Sequence, residues 1–228
     1  MAEIAKSLFD RFVTSLLQGP YPQELDWTLA INTAMLICPF VYYFYLWHWP
    51  YYWCKFSEAL GVKPAYLMSY FAHIMKLLQF AVILGVGQGT VPSLIGAPLN
   101  AVLPPQFHLR TYELVVDAWT ILDLALIFAG QALNSGVYSA LGTTGTYYGV
   151  RFGEQVPWVT VFPYNLGLPD PQYWGSILTL VGLINFFQLK KAPYYVVVNI
   201  VSYIFMMWVE RAERTPGYTK ASGSKKKE

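Results

Sequence analysis

Long apolar runs separated by short polar breaks dominate the hydrophobic pattern of this 228-residue chain. Five runs come close to the roughly 20 residues that a helix needs to cross a bilayer. They cover residues 27–49, 65–87, 113–133, 171–189 and 193–209. Only residues 190–192 separate the last two runs, and so short a link predicts an antiparallel helical hairpin. Because either member of the hairpin could be re-entrant, the pattern predicts four to five transmembrane helices.

The segments outside these runs have different characters. Ile4, Leu8, Phe12 and Leu16 recur at helical spacing with charged residues between them. This stripe predicts an amphipathic segment over residues 1–24 that lies in the membrane interface, with a solvated cap helix as the alternative. Four prolines between the second and third runs break helix and predict a loop. They are Pro92, Pro98, Pro104 and Pro105. A polar tail covers residues 213–228, which leaves one membrane-embedded domain over residues 25–212.

Composition supports an all-α polytopic membrane protein. Apolar residues make up 55% of the chain and charged residues only 12%, whereas soluble domains carry about 25% charged residues. A net charge of +2 argues against nucleic acid as a partner. Histidine and cysteine show no zinc-ligand spacing, so no metal is expected.

The strip from Gly145 to Ser176 is too rich in Gly, Pro and polar atoms to face lipid. Irregular backbone at membrane depth persists only where protein or water satisfies its polar groups, so this strip is a candidate ligand site. A related set of glycines falls at spacings of three and four residues: Gly142, Gly145, Gly149 and Gly153. If the stretch is helical, one face has almost no side chains. That face either packs against another helix or lets a ligand lie on the backbone.

A helix start is predicted at Asp170-Pro171, because Asp can accept the first free N–H groups and Pro fits the first helical position. The same N–H groups could instead receive an anion, with Tyr173 and Gly175 on the first turn. The cap alone would also explain both residues.

Several ionisable residues interrupt the apolar runs or end them. Glu210-Arg211 closes the last run. Glu210 could accept hydrogen bonds from hydroxyls or an ammonium, and Arg211 could bind an anion; the alternative is that both simply lie at the interface. Asp123 and His73 lie inside runs, where ionisable groups are costly and face a cavity or each other.

Three blocks of the strip resemble a known family. They are GTYYGVRFG from Gly145, PWVTVFPY from Pro157 and DPQYWGS from Asp170, the last followed by the hairpin. Together they resemble the class II phosphatidylethanolamine methyltransferases, phospholipid N-methyltransferases of the endoplasmic reticulum, and most closely their plant and algal branch. The resemblance implies methyl transfer from S-adenosylmethionine to the amine of a phosphoethanolamine headgroup, giving the dimethylated lipid and phosphatidylcholine. Plant-like members are expected to prefer lipid that is already monomethylated.

The resemblance also implies cofactor contacts. The Gly-x-Gly motif of the family falls on Phe128-Ala129-Gly130, which keeps only the second glycine. Its pair of Glu residues falls on Glu210-Arg211, which keeps only the first. A Pro-x-Tyr-x-Gly motif shared with isoprenylcysteine carboxyl methyltransferases falls on residues 171–175. The expected cofactor-binding residues are Phe128, Ala129, Gly130, Gly145, Gly149, Pro171, Tyr173, Gly175, Glu210 and Arg211.

The implied chemistry requires that an ethanolammonium lose its proton before the amine attacks, which calls for a base or a proton path to water. Glu210, Asp123 and His73 are the candidates, and the sequence does not choose among them. Aromatic rings favour a methylated cation through cation–π contact, and an arginine suits the lipid phosphate. The candidate headgroup residues are Tyr147, Tyr148, Trp158 and Arg151.

Two other functions remain open at the level of sequence. One is a carboxyl methyltransferase of the isoprenylcysteine type, whose anionic acceptor needs no base. The other is a membrane scaffold or transporter in which the glycines only pack helices. The final KKKE matches a dilysine retrieval signal, which predicts a multi-pass protein of the endoplasmic reticulum membrane with a cytosolic tail.

Overall fold

The computed structural model describes residues 27–85, 89–157, 159–189 and 192–212. Within these ranges the α-helices are α1 Trp27–His48, α2 Pro50–Leu60, α3 Pro64–Gly85, α4 Ser93–Asn100, α5 Ala118–Thr146, α6 Pro171–Phe186 and α7 Ala192–Ala212. The strands are β1 Thr90–Pro92 and β2 Arg110–Tyr112. Single 3₁₀ turns cover Pro105–Phe107, Gly149–Phe152 and Tyr164–Leu166. The prediction of a mostly helical chain is confirmed, and the two short strands are the departure from all-α.

The main core lies between α1, α6 and α7, where branched and aromatic side chains of the three helices pack against one another. It includes Leu36, Ile177, Val181, Val196 and Met206, all buried. A second core joins the end of α1 to α2, α3 and the 3₁₀ turn at Gly149–Phe152. In both cores these side chains stabilise the bundle by van der Waals packing.

The directions of the helices follow from ring contacts. Phe40 of α1 meets Tyr203 of α7 at 4.6 Å between ring centroids. Tyr173, in the first turn of α6, lies 5.6 Å from Tyr203. The start of α6 therefore lies beside the later part of α7, and the two helices run antiparallel. The end of α1, the start of α6 and the end of α7 meet at one end of the bundle.

Two stretches among the described residues are long and apolar enough to cross a membrane. They are Trp27–His48 and Ala118–Phe152. The count of four to five spans stays a prediction. The amphipathic segment over residues 1–24 and the tail over residues 213–228 lie outside the described residues.

Helix α5 begins and ends later than the third apolar run. The carboxylate of Asp117 accepts a hydrogen bond of 2.8 Å from the backbone N–H of Thr120. That bond satisfies one of the free donors at the helix start, and it lowers the pKa of Asp117. The helix then continues to Thr146, with one break at Gly142.

The shared glycine face depended on the condition that residues 142–153 are helical, and the break at Gly142 shows that this condition is not met. Gly142 has φ +64° and ψ −173°, a backbone conformation that is essentially restricted to glycine. Gly149 begins a 3₁₀ turn and Gly153 has φ +77°. Because the chain changes direction at these points, the four glycines do not share one helical face.

Glycines do allow α5 and α6 to approach closely. A Cβ on Gly175 would lie 2.8 Å from the carbonyl oxygen of Gly130 and 2.6 Å from Oδ1 of Asn134. A Cβ on Gly182 would lie 2.6 Å from the carbonyl oxygen of Asp123. Close backbone approach through small residues is a usual way to pack helices without a hydrophobic driving force.

A small folded unit, which we call the cap (residues 90–112), replaces the predicted loop. Strands β1 and β2 pair in parallel, with Thr90 opposite Arg110, and α4 lies between them in sequence. Pro98 lies inside α4, where it removes one backbone hydrogen bond of the helix. The cap is attached to the end of α6, because Thr90 N donates to the carbonyl oxygen of Phe187 at 2.8 Å. It therefore lies at the end of the bundle opposite the start of α6.

Candidate active site

A half-buried carboxylate and two half-buried tyrosines form the most distinctive polar group at the end of the bundle where α6 starts. The hydroxyls of Tyr148 and Tyr173 both donate to Oε1 of Glu210. The two hydroxyl oxygens lie 3.0 Å apart. We call these three residues the Glu210 cluster. Tyr148 follows the end of α5, Tyr173 lies in the first turn of α6 and Glu210 lies in the last turn of α7.

Counting protons shows what the Glu210 cluster can do. Three oxygen atoms make three mutual close contacts, but two phenols carry only two protons between them. With Glu210 ionised, one of the three contacts has no proton. A proton added to the carboxylate would supply the missing one and close a ring of three hydrogen bonds. The cluster can therefore accept one proton without leaving an oxygen unsatisfied.

Aromatic rings surround the cluster. Trp47 and Tyr43, both on α1, lie 5.3 Å and 6.2 Å from the ring of Tyr148 between centroids. Tyr203 lies on the other side, against Tyr173. Ring faces attract cations, and a desolvated cation–π contact contributes about 2 kcal/mol. A carboxylate among ring faces is chemically suited to an ammonium or a sulfonium.

Arg151 lies beside this group and is only 5% exposed. Its guanidinium lies over the ring of Trp47, 4.4 Å from the centroid, and donates to the carbonyl oxygen of Trp47. Arginine stacks on aromatic faces because its charge is planar and delocalised. The contact joins the 3₁₀ turn at Gly149–Phe152 to the end of α1.

Asp170 and Arg211 form an ion pair at the rim. Nε and Nη2 of Arg211 lie 2.9 Å and 2.5 Å from Oδ2 of Asp170. Pro171 begins α6, as the sequence predicted, but the side chain of Asp170 makes no capping hydrogen bond. The expected cap is wrong because Asp170, at φ +48°, directs its carboxylate to Arg211 instead. Its charge also raises the pKa of Tyr164, after the larger effect of burial.

The three candidate bases do not lie together. Asp123 is buried near the start of α5 and accepts a hydrogen bond of 3.3 Å from Nδ2 of Asn185. Asn185 is twelve residues after Tyr173 on α6, a distance of about 18 Å along a helix. His73 is exposed on α3 and its Nδ1 contacts the carbonyl oxygen of Ser69 at 2.7 Å. Of the three candidates, only Glu210 contacts Tyr148 and Tyr173.

The expected cofactor residues are spread over different surroundings. Phe128 is 71% exposed and Ala129 is also exposed. Gly130 faces α6, where a Cβ would lie 2.7 Å from the backbone nitrogen of Thr179. Protein atoms also fill the space beside Gly145 and Gly149. These glycines therefore offer no cradle, whereas the carboxylate and aromatic rings of the Glu210 cluster fit a cationic group such as a sulfonium.

The remaining candidate residues also lie in different parts of the structure. Pro171 is buried at the helix start. Tyr147 lies 6.2 Å from His73 of α3 between ring centroids. Trp158 lies outside the described residues. In the part of the chain that the structure describes, no three His, Cys, Asp or Glu residues form a possible metal-ligand group.

Sequence reasoning missed three of the rings around the cluster: Tyr43, Trp47 and Tyr203. Trp47 belongs to a dense aromatic segment at the end of the first apolar run, and an interfacial belt is sufficient to explain such a segment. The contact with Tyr148 joins residues about a hundred positions apart. No local spacing signals such a contact.

Comparison with known proteins agrees with this chemistry. Residues 118–219, which include the whole Glu210 cluster, match the family model described as phospholipid methyltransferase. The chain is 30% identical over 178 residues to the phosphatidyl-N-methylethanolamine N-methyltransferase of Arabidopsis thaliana, covering 78% of this chain and 89% of that protein.

Shorter alignments point in the same direction. The chain is 38% identical over 99 residues to the phosphatidyl-N-methylethanolamine N-methyltransferase of Saccharomyces cerevisiae, covering 41% of this chain and 46% of that protein. It is 40% identical over 70 residues to the phosphatidylethanolamine N-methyltransferase of Rattus norvegicus, covering 29% of this chain and 35% of that protein. No solved structure matches the chain.

Proposed function

Because the chain belongs to the phospholipid methyltransferase family, we propose that it methylates phosphatidyl-N-methylethanolamine and its dimethyl product to phosphatidylcholine, with S-adenosylmethionine as the methyl donor. The family is the one that the sequence blocks from Gly145 to Ser176 predicted. The relatives named above are N-methyltransferases of phosphatidylethanolamine or its N-methyl derivative, which favours this substrate class over a prenylcysteine carboxylate. Family membership equally favours an enzyme over a scaffold or transporter.

One observation carries the chemical part of the proposal: the Glu210 carboxylate contacts two tyrosine hydroxyls among aromatic rings. A protonated headgroup amine must lose a proton before its lone pair can attack. We assign that proton to Glu210, because the cluster can accept it and complete its hydrogen bonds. Asp123 and His73 lie in other surroundings, so they are weaker candidates.

S-adenosylmethionine, when bound, supplies a methyl group on a positively charged sulfur that leaves as a neutral thioether. Tyr173 and Glu210 are the residues that we expect to hold it near the reacting nitrogen. Glu210 would take the amine proton first, which leaves the headgroup nitrogen with a free lone pair for the methyl group. A carboxylate between two cations also offsets their repulsion, since like charges about 4 Å apart repel by several kcal/mol at a protein surface.

The rest of the headgroup would lie toward Arg151. The amine and the phosphate of the headgroup are only two carbons apart, and Arg151 is a cation next to the rings of the cluster. We propose that Arg151 pairs with the phosphate while Tyr148 contacts the methylated nitrogen. Methyl groups cannot donate hydrogen bonds, so ring faces suit the partly methylated headgroup better than further polar groups would.

We further propose that residues 25–212 form one membrane-embedded domain with four to five spans in the endoplasmic reticulum. Exposed apolar side chains on α3 and α7, such as Leu77 and Trp208, support spans beyond the two that meet the length and hydropathy criteria. The Glu210 cluster and the end of α7 lie at the same end of the bundle, so the KKKE tail and the methyl donor would share the cytosolic side.

Purified protein in lipid vesicles, incubated with S-adenosylmethionine labelled on its methyl group, tests the function. Each headgroup is supplied in turn: ethanolamine, N-methylethanolamine and N,N-dimethylethanolamine. We expect label in lipid with the second and third, and the test also decides whether the first is used. Label found only in protein would contradict a phospholipid acceptor.

A further inference from the structure

The cap (residues 90–112) has its polar and apolar side chains in the reverse of the usual arrangement. Ser93 donates to the carbonyl oxygen of Tyr112 at 3.0 Å. Asn100 donates to the carbonyl oxygen of Leu109 at 2.9 Å and accepts from its N–H at 2.7 Å. The polar side chains of α4 are therefore used inside the cap, on its own backbone.

The apolar side chains of α4 point away from the rest of the protein. Leu94 is 82% exposed and Val102, just after the helix, is 80% exposed. Ile95 and Leu99 are also exposed. On the inner side Gly96 lets α4 pack directly on Thr111 and Val91. A unit that satisfies its polar groups internally and exposes its apolar groups is suited to a lipid surround, not to water.

The charge pattern agrees. From Leu77 to Leu109 the chain has no Asp, Glu, Lys or Arg. Charges return at Arg110, Glu113 and Asp117, all exposed, just before α5 begins. A helix of eight residues is about 12 Å long and cannot cross a hydrocarbon core of about 30 Å.

The position of the cap favours lipid as the occupant of its apolar face. Val115 and Val116 are exposed next to the start of α5, so the apolar surface of the cap continues into that of a candidate span. We propose that the cap inserts α4 and residues 101–103 into the lipid leaflet at the end of the bundle opposite the Glu210 cluster. Arg110 and Glu113 then mark the level of the polar headgroups.

Site-directed spin labelling in phosphatidylcholine vesicles tests the insertion. Cys38 is exposed and is replaced by Ala, whereas Cys54 is buried and is kept. Nitroxides are then attached singly at Leu94→Cys, Leu99→Cys and Val102→Cys, with Glu113→Cys as the control. Collisions with oxygen report lipid, and collisions with a soluble nickel chelate report water. Labelling of the Cys38→Ala protein alone gives the background.

We expect the ratio of oxygen to nickel accessibility to be several-fold higher at the three apolar positions than at Glu113→Cys. A ratio equal to that of the control would show that the cap faces water and would overturn the proposal. Low accessibility to both reagents would also overturn it, because protein would then cover the face, either the segment over residues 1–24 or a second copy. Methyl transfer by each labelled protein shows that it is folded, and three positions guard against the loss of one variant.

Discussion

Tyr148 and Tyr173 are 25 residues apart in sequence, yet their hydroxyl oxygens lie 3.0 Å apart because both contact the same carboxylate oxygen of Glu210. The first lies at the end of α5 and the second at the start of α6, so the contact joins the two ends of the connecting strip. Its third member comes from α7. The strip that identifies the family thus also provides two of the three groups at the proposed proton acceptor.

Removing either hydroxyl should slow methyl transfer while the ring stays in place. A hydrogen bond to a charged group contributes about 1.5–3 kcal/mol, so Tyr148→Phe and Tyr173→Phe should each lower kcat roughly 10-fold or more. The double variant should lose less than the product of the two, because both act on one acceptor. Tyr203→Phe is the matched control, and an equal effect there would mean that the contact with Glu210 is not what makes the two hydroxyls important.

Substitutions of Arg151 test where the phosphate of the lipid binds. Arg151→Ala should raise KM for the lipid roughly 10-fold, the loss of a charged hydrogen bond worth about 1.5 kcal/mol, with KM for the methyl donor nearly unchanged. Arg151→Lys keeps the charge but loses the planar stack on Trp47, so its effect should be intermediate. Titration of lipid into mixed vesicles measures both constants. Unchanged lipid dependence in Arg151→Ala would remove the phosphate role.

The Asp170–Arg211 pair should act mainly on stability. Both side chains are more than a third exposed, and such pairs contribute at most about 1 kcal/mol. Asp170→Asn and Arg211→Gln should therefore lower Tm by a few degrees at most, and Asp170→Arg with Arg211→Asp should recover part of the loss. Thermal denaturation in detergent measures this. If Arg211→Gln weakens binding of the methyl donor while Asp170→Asn has no effect, Arg211 binds the cofactor directly.

The glycines between α5 and α6 should matter for packing. Gly130→Ala and Gly175→Ala each place a methyl group against backbone of the facing helix, and overpacking costs about 1–3 kcal/mol. We expect a lower Tm, with KM for the methyl donor changed little in the protein that remains folded. Ala129→Val, on the exposed side, is the control. Weakened donor binding at unchanged Tm would instead favour the cofactor contact that the sequence implied.

The sequence predicted the helical class and the start of α6, because apolar runs and a Pro at the first helical position are local signals. It also identified Tyr148, Tyr173 and Glu210 separately, through motifs. It did not predict that they meet, nor that Trp47 and Tyr43 surround them, because these contacts join distant parts of the chain. The break at Gly142 and the turn of Asp170 toward Arg211 depend on backbone angles that a spacing pattern cannot reveal.

The most direct test of the proton acceptor is the pH dependence of Glu210→Gln, with Glu58→Gln, a surface carboxylate, as the control. At pH 7 we expect a loss of about 10²–10⁴-fold, the usual contribution of a general base. An alkyl ammonium loses its proton near pH 10, so the rate of Glu210→Gln should rise roughly 10-fold per pH unit toward pH 9.5, while the wild-type rate rises less. The ratio of the wild-type rate to the Glu210→Gln rate should therefore fall as the pH rises, because solvent then removes the proton. A ratio that stays constant over this range would contradict the assignment of the proton to Glu210.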